Sequence, residues 1–600
     1  MRLAAVLAVS FWSALAWGQA AGNAPSTRKS GYSVYEKATI AAALGRLRAT
    51  LDPAPEGKTV ESIEIVRLEV LDRESASIAK LPVVGWVINP KVINPLHTTT
   101  KEWIVRRELL LATGDRFQQT LLDETARNLR RLKQLSLVIG VPMRGSSADK
   151  VRLLVITKDI WSLRLAYDMS LGPGGLESLT IQPSEINVAG VQHTASTTFS
   201  LTPKSYAIGA GYSIPRFGES YVGAAVSTSV IMNRDTGSPE GSTGAVSLSR
   251  PLYTSLVPWS WGVSGQWTTN VIRRFVNAQL ANYDAQETPG KDAIPFEYKN
   301  RRVLAAASMT RSFGWQNKTD LSLGYEFNRR LYRTFARPGQ SLVALDEFRR
   351  KVVPTSDTRS SPYAQLHVYT TNFHRITDFE TLALQEDYRL GHDVYVNLYP
   401  VTRAFGSTRD FVGGLTSAQY TFPLGDGLTR FGVQAITEGT ADQLTDASVQ
   451  GVVHVVTPRF GIGRLVLDVT ALDRYRNYLN QQTYLGGDTR LRGFPSNYLL
   501  GKDYLVGNLE FRSRPVDVLS LQLALALFYD AGDAAGSWRE LSPKQAAGFG
   551  LRALIPQLNR VVFRGDLGFP LMRPLPTGVS AASFFLSFEQ AFEFGSLGPT

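Results

Sequence analysis

Apolar and polar side chains alternate one by one along the C-terminal part of the chain. In residues 520–530 the odd positions are four leucines and Tyr529, and the even positions are small or polar except Phe528. The same alternation runs through 504–512, 547–555, 561–569 and 583–592. Because side chains of a β-strand point in turn to opposite faces, these segments predict strands with one apolar and one polar face.

Helix signals end at about residue 161. From there to 594, period-two segments follow one another, separated by Gly, Asn, Asp and Pro. This pattern predicts a transmembrane antiparallel β-barrel of about 16 strands. More candidate strands than sixteen are present, and we expect the surplus to form loop hairpins beyond the membrane. The polar segment 334–361 is predicted to be a long extracellular loop.

The alternation by itself fits two kinds of protein. A soluble sandwich alternates in the same way, with its apolar face in a core. Aromatic strand ends and the number of consecutive segments favour a lipid-facing surface. The first strand is expected near 161–170 and the last near 584–592, with a tail at 595–600. The strength of the seam between these two strands stays open.

Residues 59–160 have the pattern of one small α/β domain. The predicted order is a strand at 62–70, a helix at 103–111, a second helix at 118–132, and strands at 135–141 and 151–157. Thr98 to Thr100 followed by Glu102 is a helix-start signal, and Gly114 breaks the first helix. The insertion 81–96 is rich in Val, Ile and Pro, and is either a loop or a partner-facing patch.

The segment 21–58 is predicted to be a linker with one short helix at about 35–51. Ile40, Leu44, Leu47 and Leu51 form an apolar stripe along it. Two interpretations fit this stripe. The helix packs on the following domain, or it plugs a pore.

The first 20 residues have the pattern of a secretory signal. Arg2 precedes an apolar run from 3 to 17, and small residues at Gly18 and Ala20 predict cleavage after Ala20. The run is shorter than the roughly 20 residues of a spanning helix, and no later segment is long and apolar enough to be one. We therefore expect an exported protein.

Composition excludes several chemistries. The chain of 600 residues has no cysteine, which excludes disulfides, thiolate metal sites, a catalytic thiol and lipoprotein acylation. Six histidines are scattered without HExxH, GxSxG or P-loop spacing, so we expect no enzyme and no cofactor. The net charge of +12 fits lumen lining or loops that meet lipid headgroups and lipopolysaccharide phosphates. Its spread along the chain argues against nucleic acid.

The segment LGGDTRLRGFP at 485–495 carries the most specific motif. The motif residues are Leu491, Arg492, Gly493 and Phe494, and the turn before them contains Gly486 and Gly487. The motif resembles the (V/L)RG(F/Y) motif of the bacterial surface-antigen superfamily, which includes BamA and TamA. The element order of 59–160, and the wording IVRRELLLATGDRFQQTLLDETARNLRRLKQLSLV, resemble a POTRA domain.

The resemblance implies a sixteen-stranded barrel behind one POTRA-like domain. It also implies that the motif lies on a loop folded into the lumen, where the arginine pairs with acidic residues of the following strands. The matching positions are Glu510 and Asp530. Alternation independently places both carboxylates on the polar face. A buried guanidinium would be costly unless its fork of donors met such partners.

In function, the resemblance implies assembly or translocation of proteins at the bacterial outer membrane, with the POTRA-like domain in the periplasm. The expected partners are an unfolded outer-membrane or secreted client, periplasmic accessory proteins, and outer-membrane lipid and lipopolysaccharide. A single POTRA-like domain favours a specialised role over general barrel assembly. The alternative is a passive porin or a structural, surface-exposed barrel.

Overall fold

The computed structural model describes residues 32, 34–68, 98–130, 132, 134–172, 175–254, 257–377, 379–382, 385–488, 490–518, 521–554, 562–588 and 590–591. The expected signal peptide 1–20, the insertion 81–96 and the tail 595–600 lie outside these residues. So do the last positions of the predicted final strand.

The N-terminal region forms a small sheet with helices on both faces. Its described elements are α1 (Val34–Leu47), β1 (Thr59–Leu68), α2 (Glu102–Arg106), α3 (Gln119–Arg130), β2 (Leu135–Arg144) and β3 (Lys150–Asp159). Strand β3 is central, parallel to β1 and antiparallel to β2. Helix α2 ends at Arg106, earlier than the predicted 111. None of the described helices is long and apolar enough to span a bilayer.

Both faces of this sheet are covered. Ile40 of α1 packs with Ile139 and Ile156 on one face, and Leu129 of α3 packs with Val155 on the other. Because neighbouring residues of β3 are buried on opposite faces, its central residues 153–156 form a continuous apolar run. The apolar stripe near 35–51 thus packs on the small sheet and does not enter the barrel, which is the first of its two interpretations.

The chain from residue 163 onward is mostly strand. Its elements are β4 (Leu163–Gly172), β5 (Gly175–Val188), β6 (His193–Leu201), β7 (Ser205–Ile214), β8 (Gly223–Asn233), β9 (Pro239–Arg250), β10 (Trp259–Arg273), β11 (Phe275–Val276), β12 (Gln279–Leu280), β13 (Asn282–Tyr283), β14 (Ile294–Pro295), β15 (Glu297–Phe313), β16 (Asn317–Thr334), α4 (Leu342–Lys351), β17 (Asp357–Thr370), β18 (Phe373–Thr377), β19 (Gln385–Arg389), β20 (Gly391–Val401), β21 (Phe411–Leu424), β22 (Gly427–Gly439), β23 (Leu444–Val456), β24 (Gly463–Asn477), β25 (Thr483–Leu485), β26 (Leu499–Gly501), β27 (Asp503–Ser513), β28 (Val516–Val518), β29 (Leu521–Ala535), β30 (Lys544–Leu554), β31 (Phe563–Pro570) and β32 (Ser583–Phe588), with 3-10 turns at Arg403–Phe405 and Trp538–Glu540.

Twenty strand positions of the described chain close into one antiparallel barrel, counting β27 and β28 as one because both pair with β29. The expectation of about 16 strands was therefore wrong. Alternation is a local property, whereas closure of a barrel depends on which strands share hydrogen bonds. Alternation therefore does not separate wall strands from projecting hairpins. The expected loop 334–361 is also shorter: it spans 335–356 and contains α4.

The two ends of the barrel differ. The small domain packs at the end where β4 begins, and we call this the domain end. There Arg216 lies 3.0 Å from Glu108, and Asn128 donates a hydrogen bond of 3.0 Å to the carbonyl oxygen of Tyr253. The opposite, distal end carries α4 and the loop 274–296.

The outer face of the wall is apolar. On β29, Leu525 is 60% exposed and Leu527 is 57% exposed, whereas Ala526 and Asp530 between and beyond them are buried. The same alternation continues on β30 and β31. A continuous exposed apolar belt of this kind is stable against lipid and unstable against water.

The barrel closes where its last strand meets its first. Strands β32 and β4 pair over three residues, from Phe584 opposite Leu171 to Leu586 opposite Met169. By contrast, β15 and β16 pair over sixteen residues. Within the part of the chain that the structure describes, few ladder hydrogen bonds hold this closing seam.

Candidate functional site in the barrel lumen

The loop between β24 and β27, residues 478–502, folds back into the barrel, and we call it the inserted loop. Gly486 and Gly487 have φ angles of 122° and 96°, a region that side chains rarely adopt. The amide of Gly487 donates a 3.1 Å hydrogen bond to the carbonyl oxygen of Phe494. Leu491 and Phe494 are fully buried in an apolar cluster with wall residues. These features form a tight turn that places Arg492 against the wall.

Arg492 is fully buried and bonded to the wall through its whole guanidinium group. Its Nε and Nη2 atoms each lie 2.9 Å from a carboxylate oxygen of Asp530, and its own amide donates to Asp530 at 3.0 Å. Its Nη1 lies 2.6 Å from Glu510. The guanidinium carbon also lies 3.6 Å from the ring centroid of Phe528. The structure thus brings together the arginine and both carboxylates named from the sequence.

Sequence reasoning missed a third carboxylate. Asp566 on β31 lies 3.3 Å from Nη1 of Arg492 and is also fully buried. Its signal was present, because Asp566 falls on the polar face of the alternating segment 561–569. It was missed because the motif resemblance points to only two acidic positions.

Further arginines balance these carboxylates. Arg552 lies 2.5 Å from Asp566, and Arg512 lies 2.8 Å from Glu510. Arg564 pairs with Asp488 of the inserted loop at 3.1 Å. With Arg492, four guanidinium groups face Glu510, Asp530, Asp566 and Asp488, and we call these eight side chains the Arg492 cluster. Equal numbers of opposite charges make burial of the other seven beside the partly exposed Asp488 tolerable, since a buried unpaired charge is costly.

Glycines let the inserted loop lie directly on the wall. A Cβ atom at Gly493 would lie 2.5 Å from the Cβ of Ala546, and one at Gly568 on β31 would overlap the carbonyl oxygen of Arg492. Larger residues at either position would push the loop away. The glycine of the motif therefore serves close approach.

A second segment enters the lumen from the domain end. Residues 371–390 contain the paired strands β18 and β19, and we call them the lumen hairpin. Phe379 is buried against wall residues Leu428, Val456 and Val466. Its carbonyl oxygen accepts a 3.1 Å hydrogen bond from Arg512. Nothing in the sequence analysis pointed to this segment.

The small domain holds the lumen hairpin. Arg130 of α3 lies 2.8 Å from Asp387 of β19, and the guanidinium of Arg127 lies 4.8 Å from the ring centroid of Phe373. Both arginines lie on the last turn of α3. A displacement of α3 would therefore move the lumen hairpin.

At the distal end, α4 packs against the loop 274–296, and we call this helix and loop the cap. Glu347 of α4 accepts hydrogen bonds from the hydroxyl of Tyr283 at 2.7 Å, from the amide of Glu287 at 2.8 Å and from Lys351 at 2.9 Å. Desolvation alone would raise the pKa of this carboxylate, but these hydrogen bonds outweigh it and lower the pKa to about 2. Asn480 of the inserted loop donates to the carbonyl oxygen of Val353 at 3.0 Å, so the cap and the loop are connected.

The described residues contain no group of three or more His, Cys, Asp or Glu side chains arranged to hold a metal ion. That the protein is not an enzyme stays a prediction from the sequence. What the site can do is mechanical: charged contacts hold two inserted segments against the inner wall.

Comparisons with known proteins give likeness of fold. No protein-family model matches the sequence, and no curated protein matches it. Among solved structures, the chain is similar to BamA from Haemophilus ducreyi lacking POTRA domains 1–3, with 12% identity, 93% of this chain and 94% of that chain covered, and a TM-score of 0.34. It is similar to CdiB from Acinetobacter baumannii at 12% identity, with 98% of each chain covered and a TM-score of 0.39. It is also similar to the siderophore receptor PirA from Acinetobacter baumannii at 10% identity, with 72% of each chain covered and a TM-score of 0.37.

Proposed function

We propose that this protein is an outer-membrane barrel that inserts or translocates other proteins, with the small domain in the periplasm. The observation that carries the proposal is the Arg492 cluster, which fastens a loop inside the lumen beside a short closing seam. A barrel built this way has one part that is held firmly and one part that opens easily. It needs no bond chemistry.

Two segments fastened inside the barrel favour this function over a passive porin. The inserted loop enters the lumen from the distal end, and the lumen hairpin enters it from the domain end. A porin keeps a water-filled channel through its interior. Fastened segments at both ends instead fit a channel that opens only when a client arrives.

The small domain offers a place for a client. Strand β1 lies at an edge of the three-stranded sheet, and within the described residues no strand pairs with its outer side from Glu61 to Leu68. An extended peptide can add to such an edge through main-chain hydrogen bonds. The strand–helix–helix–strand–strand order and the mixed sheet support a POTRA-like role for this domain.

The seam offers a place for client release. A client strand that reaches β32 or β4 competes with three paired residues of the described chain. Opening elsewhere breaks longer ladders. We therefore expect a client to pass at the seam, either into the membrane or across it.

Depletion of the protein followed by outer-membrane proteomics tests the proposal. Loss of one exported client indicates a dedicated translocator, and broad loss of barrels indicates an assembly factor. Complementation with Arg492→Ala is expected to fail, while Arg490→Ala, a change in the same loop, is expected to complement.

An unchanged outer-membrane proteome would contradict the proposal. Planar-bilayer conductance then distinguishes the two functions. A large, steady pore favours the porin, whereas a mostly closed, flickering channel favours the translocator. A steady pore together with a normal proteome would replace the proposed function with passive diffusion.

A further inference from the structure

Four cationic side chains form a patch on the outer face of the barrel near its distal end. They are Lys299 and Arg301 on β15, and Arg329 and Arg333 on β16, and we call them the basic patch. All four are exposed and have the outward parity of Val303 and Leu323 on the same strands. The patch therefore faces the surroundings of the barrel and not its lumen.

The patch lies at the edge of the apolar belt. Along β15 the outward positions between Arg301 and Arg311 are Val303, Ala305, Ala307 and Met309. Ten residues at 3.3 Å per residue, tilted by about 40°, rise about 25 Å, which matches the height of the apolar band of a membrane barrel. Arg311 and Arg301 thus mark its two borders, and Arg301 marks the distal one.

The basic patch carries an electrostatic cost. Lys299 lies directly opposite Arg333 in the register of β15 and β16, and like charges in this arrangement repel. Among the described residues no carboxylate pairs with any of the four. The residues opposite Arg301 on β10 and opposite Arg329 on β17 are neutral, namely Thr269 and Thr358.

Neighbouring cations on the same rim, unlike those of the basic patch, form ion pairs with carboxylates. Arg273 on the same rim lies 2.5 Å from Glu240 and 2.9 Å from Glu297, and Arg337 also pairs with Glu297. Lys299 and these paired arginines line the same cavity of about 520 Å³. The rim therefore contains carboxylates, but they do not neutralise the basic patch.

We propose that the basic patch binds the phosphates of a bisphosphorylated, acylated glycolipid of the outer leaflet, of the lipid A type. Guanidinium groups bind phosphate through paired donors. The acyl chains of such a lipid would lie along the apolar positions below Arg301, and the adjoining cavity leaves room for sugar. This inference rests on the membrane location and orientation of the proposed function, because the domain end must face the periplasm.

Binding of lipid A to the purified full-length protein in detergent tests the proposal. The variant carries Arg301→Gln and Arg329→Gln together, and the control carries Arg311→Gln, an outward arginine on the same strand at the opposite border. Each surface cation contributes about a fivefold increase in affinity for an anionic lipid surface. We expect about 25-fold weaker binding by the double variant and unchanged binding by the control.

Three further ligands identify the chemistry. Lipid A without phosphates should bind the wild type more weakly than the double variant binds lipid A, because the double variant keeps Lys299 and Arg333. Inorganic phosphate should compete poorly, because it lacks the acyl chains. Phosphatidylglycerol should bind weakly, because it carries one phosphate. The conservative variant with Arg301→Lys and Arg329→Lys should keep most of the affinity, since it keeps both charges.

Equal binding of lipid A by the wild type and the double variant would overturn the inference. So would equal binding of phosphatidylglycerol and lipid A, which would reduce the patch to a general anionic surface. These outcomes leave client assembly untouched. Failure of the proposed function appears separately, as a normal outer-membrane proteome after depletion.

Discussion

Removal of the Arg492 side chain tests whether the cluster holds the inserted loop. In Arg492→Ala, Glu510 keeps Arg512 and Arg552 as partners, and Asp566 keeps Arg552 and Arg564. Asp530 is different, because Arg492 is its one ion-pair partner among the described residues. Breaking a buried ion pair from one side costs about 3–5 kcal/mol. We expect a value near 3 kcal/mol, since the other two carboxylates stay neutralised.

A change of about 3 kcal/mol shifts the equilibrium between seated and displaced loop roughly a hundredfold. The strand ladders of the wall do not involve Arg492, so the barrel should still close and show heat-modifiable gel mobility. Chymotrypsin cleavage after Tyr498 measures the displaced loop, because the ring of Tyr498 stacks on the fully buried Phe494, 5.8 Å between centroids, when the loop is seated. Cleavage should therefore rise strongly while the wall stays protected.

Arg490→Ala is the matched control. This arginine lies in the same loop, its side chain is 35% exposed, and it lies 2.7 Å from Asp468. An ion pair with this exposure contributes about 1 kcal/mol or less. Equal cleavage of the Arg490→Ala and Arg492→Ala proteins would refute the reasoning. Adding Asp530→Asn to Arg492→Ala should recover part of the protection, because it removes the unpaired charge.

Three shorter predictions follow. Gly568→Ala should displace the inserted loop and raise chymotrypsin cleavage, whereas Gly507→Ala, where the nearest atom to a new Cβ lies 3.8 Å away, should not. A disulfide between Met169→Cys and Leu586→Cys should lock the closing seam and block client passage in the reconstituted protein. As a control, a disulfide between two wall strands that pair along their whole length should leave client passage intact. Because the pKa of Glu347 is lowered from 4.5 to about 2, its ionised form stabilises the cap above pH 4.5, and this contribution is lost as the pH falls towards 2. Pepsin should cleave the cap increasingly over that range, whereas Glu347→Gln should remove this pH dependence of cap opening.

Local patterns predicted the parts of the site that depend on local geometry. Period-two alternation placed Glu510 and Asp530 on the inner face, because the facing of a strand residue follows from its position alone. The glycine-rich turn indicated a sharp bend before Arg492. These features need no knowledge of which strand pairs with which.

Long-range pairing decided what the sequence did not predict. The strand number was wrong, because hairpins assigned to loops pair into the wall. The lumen hairpin was missed, because its strands β18 and β19 pair only with each other, and their position inside the barrel depends on contacts with distant wall residues. Phe379, for example, meets Val466 across 87 positions of sequence.

Arg512 on β27 connects the Arg492 cluster with the lumen hairpin. Arg512 donates to Glu510 of the cluster at 2.8 Å and to the carbonyl oxygen of Phe379 in the lumen hairpin at 3.1 Å. The cluster fastens β27, β29, β30 and β31, the wall strands that precede β32. The hairpin packs against Ala591, which follows β32.

The last strand is thus held from inside by the hairpin, and the hairpin is held by Arg130 of the small domain. A client that moves α3 would release the hairpin and, with it, the support of β32. The neighbouring strands would stay fastened by Arg492, since their carboxylates do not contact the small domain. On the proposed function, client capture in the small domain would loosen the seam by way of the hairpin, while the bonds of Arg492 to Asp530 and Glu510 keep the neighbouring strands fastened.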